Sequence, residues 1–124
     1  MALAENNPAG VERRLALTIG ARALLELGRA HEALAAAEAA MKLMEAAGAD
    51  KEGEALLRVT HAEALHATGA SEQARAVLIV ARAWILDRAE HIENPDWRRS
   101  FLDRVAENRR ILELAHAWGI DAAG

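Results

Sequence analysis

Apolar residues run along this chain in long stretches of helical spacing, punctuated by glycine, proline and asparagine. The breaks fall at Pro8–Gly10, Gly28, Gly48 to Gly53, Gly69 and Asn94–Pro95. Between them the pattern predicts helices over 11–27, 30–47, 53–68, 71–91 and 96–118. Glycine just past a helical run takes the left-handed conformation without steric penalty, so Gly28 and Gly69 are expected at positive φ. Ser71 is the expected N-cap of the fourth helix, and "NPDW" sets Pro95 and Asp96 at the start of the fifth. The fifth pattern leaves room for a break near Val105–Glu107. Connections this short make neighbouring helices antiparallel.

The stretch "VLIVARAWIL", residues 77–86, is apolar almost all round. It is too short, and too soon interrupted by Arg82, to cross a bilayer, which takes roughly 20 apolar residues. It also lacks the basic polar face of a membrane-surface helix. A helix packed on two sides needs apolar residues on two sides. Val77, Val80, Ala81 and Trp84 are therefore expected to face the 53–68 helix, and Leu78 and Ile85 the closing helix. On this reading Trp84 is nearly buried.

Composition narrows the picture. The 124 residues are one domain's worth of chain, enough to bury a core without metal or disulfide support. Hydrophobic residues make up 52% but aromatics only 3%, and alanine supplies much of the difference. Small side chains imply helices packed backbone near backbone, and alanine is also the best helix former. The fold class is all-α. A net charge of −4 argues against a nucleic-acid binder, which needs a basic face. The pairs Arg13–Arg14, Arg98–Arg99 and Arg109–Arg110 have acidic neighbours and read as solvated helix faces. The absence of cysteine excludes disulfides and fits a cytoplasmic protein. "MALAENNPAG" has neither the basic nor the apolar region of a secretory signal. The expected organisation is a flexible lead-in over 1–10, one helical domain over 11–118 and a frayed terminus over 119–124.

Two segments repeat. Setting "ARALLELGRAHEALAAAEAA" (21–40) over "AEALHATGASEQARAVLIVA" (62–81) aligns Ala21 with Ala62, Ala23 with Ala64, Leu24 with Leu65 and Gly28 with Gly69. Ala33 then falls on Ala74, Ala35 on Ala76 and Ala40 on Ala81. The offset, 69 minus 28, is 41 positions, inside the window of about 20–50 residues that marks stacked repeats. With these small residues, the leucine and the corner glycine, the unit resembles a tetratricopeptide repeat over about residues 12 to 90. The offset exceeds the family's usual length of roughly 34. The family's bulky aromatics near the corner and in the second helix are replaced by Ala30, Ala37, Ser71 and Leu78. "SFLDRVAENRRILELA" (100–115) is similar to the closing segment of repeat regions in large bacterial signalling proteins, whose common form has a proline where this chain has Ala106. The resemblance implies a short right-handed α-solenoid: two stacked antiparallel hairpins and a closing helix.

No catalytic constellation emerges. His31, His61, His66, His91 and His116 never fall at the spacing of a zinc-binding HExxH helix. His61 and His66 lie about 140° apart on an ideal helix. No phosphate-binding, dinucleotide-binding or nucleophile-elbow motif is present. Asp50, Glu52 and Glu54 stand where acids complement a helix N-terminus. The chain is expected to be no enzyme, to need no cofactor or metal, and to bind neither nucleic acid nor membrane.

Tetratricopeptide families bind peptides or proteins on the exposed side of each repeat's first helix. The resemblance therefore implicates Thr18, Arg22, Leu25, Glu26, Val59, Glu63, His66 and Ala67 in partner binding. The first helix raises a second expectation. It carries Leu15, Ile19 and Ala23 on one face and Leu17, Ala21, Leu24 and Leu25 around another, more apolar surface than one following helix can cover. A preceding repeat would cover it, as would self-association through Leu15, Ile19, Gly20 and Ala23 or the 1–10 arm. The expected function is a protein–protein interaction module of a bacterial signalling protein, with a homodimerisation domain or a small helical ligand-binding protein or enzyme as alternatives. An internal pocket with converging charges would favour the last of these; a dry core would count against it.

Overall fold

The computed structural model describes residues 8–47 and 52–120. Within them lie six α-helices and no strand: α1 (Pro8–Glu26), α2 (Ala30–Ala46), α3 (Glu54–Ala67), α4 (Ser71–Glu90), α5 (Pro95–Asp103) and α6 (Ala106–Ala117). The fifth expected helix is thus two, broken at Val105, whose backbone is extended at φ −77° and ψ 114°. No proline makes the break. The buried Asn108 side chain donates its Nδ2 to the Phe101 carbonyl at 2.9 Å, so the first turn of α6 satisfies an orphan carbonyl of α5. Asn94 caps α5, accepting from the amides of Asp96 and Trp97 at 2.9 and 3.1 Å. Ser71 does not cap α4. The N-cap is Ala70, and no side chain bonds there.

The corners follow from glycine chemistry. Gly28 has φ +78°, and the amides of Arg29 and Gly28 reach back to the carbonyls of Leu24 and Leu25 at 2.9 and 3.1 Å. This double closure needs a left-handed residue. The same pair of bonds ends α3 at Gly69 and α6 at Gly119. The third corner carries the chain past the expected domain end at 118, because Ile120 is buried in the core; residues 121–124 lie outside the described residues. A Cβ at Gly28 would meet nothing within 4 Å. Gly28→Val is therefore a test of backbone strain alone, expected to lower stability by about 1–2 kcal/mol. Thermal unfolding reads it out, and an unchanged melting temperature would show that the corner tolerates a side chain.

α1 packs on α2, α2 on α3, and α3 on α4; α6 packs on α3, α4 and α5. The buried Arg14 of α1 donates Nη2 to the Glu52 carbonyl just before α3, while Arg22 pairs with Glu63 further along both helices. So α1 and α3 run in the same direction. Arg110 also meets Glu63, and Trp118 stacks on His66, so α6 runs the same way. Just before α3, Leu15 packs against the backbone of Gly53, which has φ +79°: a Cβ there would lie 2.6 Å from Leu15 Cδ2.

Burial repeats with the 41-residue offset of the sequence. Ala21 and Ala62, Ala33 and Ala74, Ala37 and Leu78, Ala40 and Ala81, and Met44 and Ile85 are all buried pairs. The core passes from an alanine junction of Ala21, Ala33, Ala37 and Ala64 to an aliphatic cluster that includes Val59, Leu78, Ile85 and Ile111. α4 is not buried on two sides. Its buried residues Ala74, Leu78, Ala81, Ile85 and Ala89 form one stripe at helical spacing, which serves both neighbours, while Ile79 and Val80 are exposed. Trp84 is only half-buried at the edge of the stripe, with the Arg88 guanidinium 4.5 Å from its ring centroid. Among the described residues no helix is long and apolar enough to cross a membrane.

Candidate functional site

Three parallel helices, α1, α3 and α6, share one face, and a charged bridge joins them across it. Glu63 of α3 holds Arg22 Nη1 of α1 at 2.9 Å on one carboxylate oxygen and Arg110 Nη2 of α6 at 3.2 Å on the other. Arg22 and Glu63 occupy equivalent positions of the repeat, 41 residues apart. Arg22 Nη1 also reaches the Thr60 hydroxyl at 3.5 Å, and that hydroxyl donates to the Leu56 carbonyl. The three charged groups remain partly open to water, so each contact contributes about 0–1 kcal/mol to stability. Their weight is positional. Two guanidiniums against one carboxylate leave the bridge with one positive charge.

A hollow lies on each side of the bridge. One, of about 270 Å³, is lined by Leu56, Val59, Ala106, Glu107 and Glu113 together with Arg109 and the two bridge arginines. The other, of about 380 Å³, is lined by Leu25, His66, Ala67, Leu114 and Trp118 along with Glu63 and Arg110. In this second hollow the Trp118 and His66 rings stack at 4.8 Å between centroids, with planes 20° apart. Arg75 of α4 donates to the Trp118 carbonyl, which anchors the corner that presents the indole. The result is a shallow groove with an apolar floor, an aromatic wall and a rim of both charges, as binding surfaces for side chains require.

The structure brings Arg22, Leu25, Glu63, His66 and Ala67 together in this groove. Thr18 and Val59, the other expected pair of repeat-equivalent residues, are each 1% exposed. Thr18 donates its hydroxyl to the Arg14 carbonyl within α1, and Val59 belongs to the aliphatic core, so neither offers a surface of its own beyond a sliver of floor. Glu26 is exposed but lines neither hollow. Arg110 and Leu114 of α6 and Trp118 just past its end were not expected. The signal was Gly119, which repeats the corners at Gly28 and Gly69 and marks α6 as a third helix of the same row. Of the expected self-association residues, Ile19 and Ala23 are exposed and Gly20 opens to free space. Leu15 instead turns toward Gly53. Residues 1–7 of the arm lie outside the described residues.

His61 lies between α2 and α3, its Nε2 3.9 Å from Glu38. Burial holds its pKa below the ordinary value, with Arg58 adding to the effect and Glu38 opposing it. Among the described residues no group of three or more histidines or acids could hold a metal ion. No protein-family model, curated protein or solved structure matches the chain.

Proposed function

We propose that this chain is a protein–protein interaction module, a short right-handed solenoid of the tetratricopeptide type whose groove over α1, α3 and α6 receives a segment of a partner protein. The observation that carries it is the pair of hollows flanking the Arg22–Glu63–Arg110 bridge. An aliphatic or aromatic side chain fits the Leu25–Leu114–Trp118 hollow, and its flanking polar groups meet the mixed-charge rim. The solenoid reading is supported by three parallel helices with identical corners and by burial that repeats every 41 residues. The similarity of the closing segment favours a regulatory or assembly role in a bacterial signalling protein, working in the cytoplasm. A catalytic role gains no support from the core, whose clusters are alanine and aliphatic residues, or from the bridge, which stands at the surface.

Peptides selected from a random display library test this reading. They should lose affinity by about tenfold or more with Arg110→Glu and with Trp118→Ala, as expected for hot-spot contacts. Arg99→Glu and Trp97→Ala on α5 should leave them unchanged. Ligands indifferent to the first pair would place binding elsewhere.

A further inference from the structure

We infer that the open face of α1 pairs with the same face of a second copy of this chain, the two helices lying parallel and in register. This face is separate from the groove. At 100° per residue, Ala16, Gly20 and Ala23 form one strip along α1, with Ile19 beside it and Leu27 just past the helix end. Ile19 is 61% and Leu27 69% exposed, and Ala16 and Ala23 are exposed too. The repeat tells what such a strip is for. Its equivalents 41 residues on, Leu57, Thr60 and Ala64 for Ala16, Ile19 and Ala23, are buried, and Ala64 packs in the alanine junction with α1 and α2. α1 therefore exposes the face that α3 uses to stack on another helical layer. A second copy is a helical layer.

Charge decides the orientation. Glu12 and Arg13 are exposed on opposite edges of the strip, and neither takes part in an ion pair among the described residues. A two-fold axis along the helices brings opposite edges together, so Glu12 of each copy meets Arg13 of the other, twice per dimer. A two-fold axis across the helices brings like edges together, and centred at Ile19, the bulkiest residue of the face, it sets Glu12 beside Glu26 of the other copy, a like-charge contact. The parallel pair avoids it. In register, Ile19 lies over Gly20 of the second copy, where a Cβ would meet nothing within 4 Å and the backbone is open to approach.

Sedimentation velocity and cysteine cross-linking test this on the full chain, which has no cysteine of its own. At about 100 µM the unmodified protein should sediment as a dimer. Glu12→Arg and Arg13→Glu should each weaken it by about tenfold, and the double exchange should restore it. Ala23→Cys should form a disulfide dimer under mild oxidation, since equal positions face each other, while Ala39→Cys on α2 should not. Circular dichroism shows that each variant remains folded, and Ile19→Glu should leave groove peptides bound while giving a monomer. A monomeric unmodified protein overturns the proposal. If removing residues 1–7 then produces a dimer, the arm covers the face in the full chain. A dimer in which Ala23→Cys fails to cross-link overturns the parallel register.

Discussion

Ile85→Ala is expected to lower folding stability by about 2–5 kcal/mol, the range for deleting a fully buried aliphatic side chain and leaving a cavity. Ile85 is 0% exposed, in the cluster that contains Val59 of α3, Leu78 of α4 and Ile111 and Ala115 of α6. It sits where three helices meet, so no single backbone shift can close the gap. Domains of this size are held by about 5–15 kcal/mol in total, so the variant should unfold at a much lower urea concentration. Trp84→Ala should cost less despite the larger side chain. Trp84 is only half-buried, at the edge of the stripe, and solvent can enter the space it leaves. Urea unfolding of both variants decides the order; a midpoint for Ile85→Ala at or above that of Trp84→Ala would mean that Ile85 does not sit at the three-helix junction.

Ala64→Leu is expected to destabilise by about 1–3 kcal/mol, in the opposite manner, by overpacking. Ala64 is wholly buried among Ala21, Ala33 and Ala37, where α1, α2 and α3 approach at alanine distance. A leucine there must push one helix outward. The neighbours that surround it, Leu24, Leu25 and Leu34, are already packed against the junction. The equivalent change at the exposed Ala23, Ala23→Leu, adds the same atoms without that strain. Equal urea midpoints for the two variants would contradict close packing at the junction.

Helix type and position were readable from the chain because their causes are local. Gly28 and Gly69 end helices through their own backbone freedom, and alanine favours helix wherever it stands. The 41-residue recurrence of buried positions was readable because small residues recur where helices touch. The facing of α4 was not. Val80 and Ile79 are as apolar as Leu78, and only the arrival of α3 and α6 on one stripe decides which of them is buried. The groove was half readable. The tetratricopeptide resemblance points to Arg22, Glu63 and His66, but also to Thr18 and Val59, an equivalent position that turns into the core in both segments. Arg110 and Trp118 required knowing that the chain breaks at Val105 and brings α6 alongside α3, and the residue that holds that break, Asn108, looks like any polar helical residue.

The three tryptophans supply the most direct measurement of the groove. Trp118 stands in its wall, Trp97 is exposed on α5, and Trp84 lies on α4 under Arg88. In a nitrogen–proton correlation spectrum, titration with a selected peptide should move the Trp118 indole signal and leave those of Trp97 and Trp84 in place. A peptide that binds while the Trp118 signal stays still, and the Trp97 or Trp84 signal moves, would contradict the groove as the binding site.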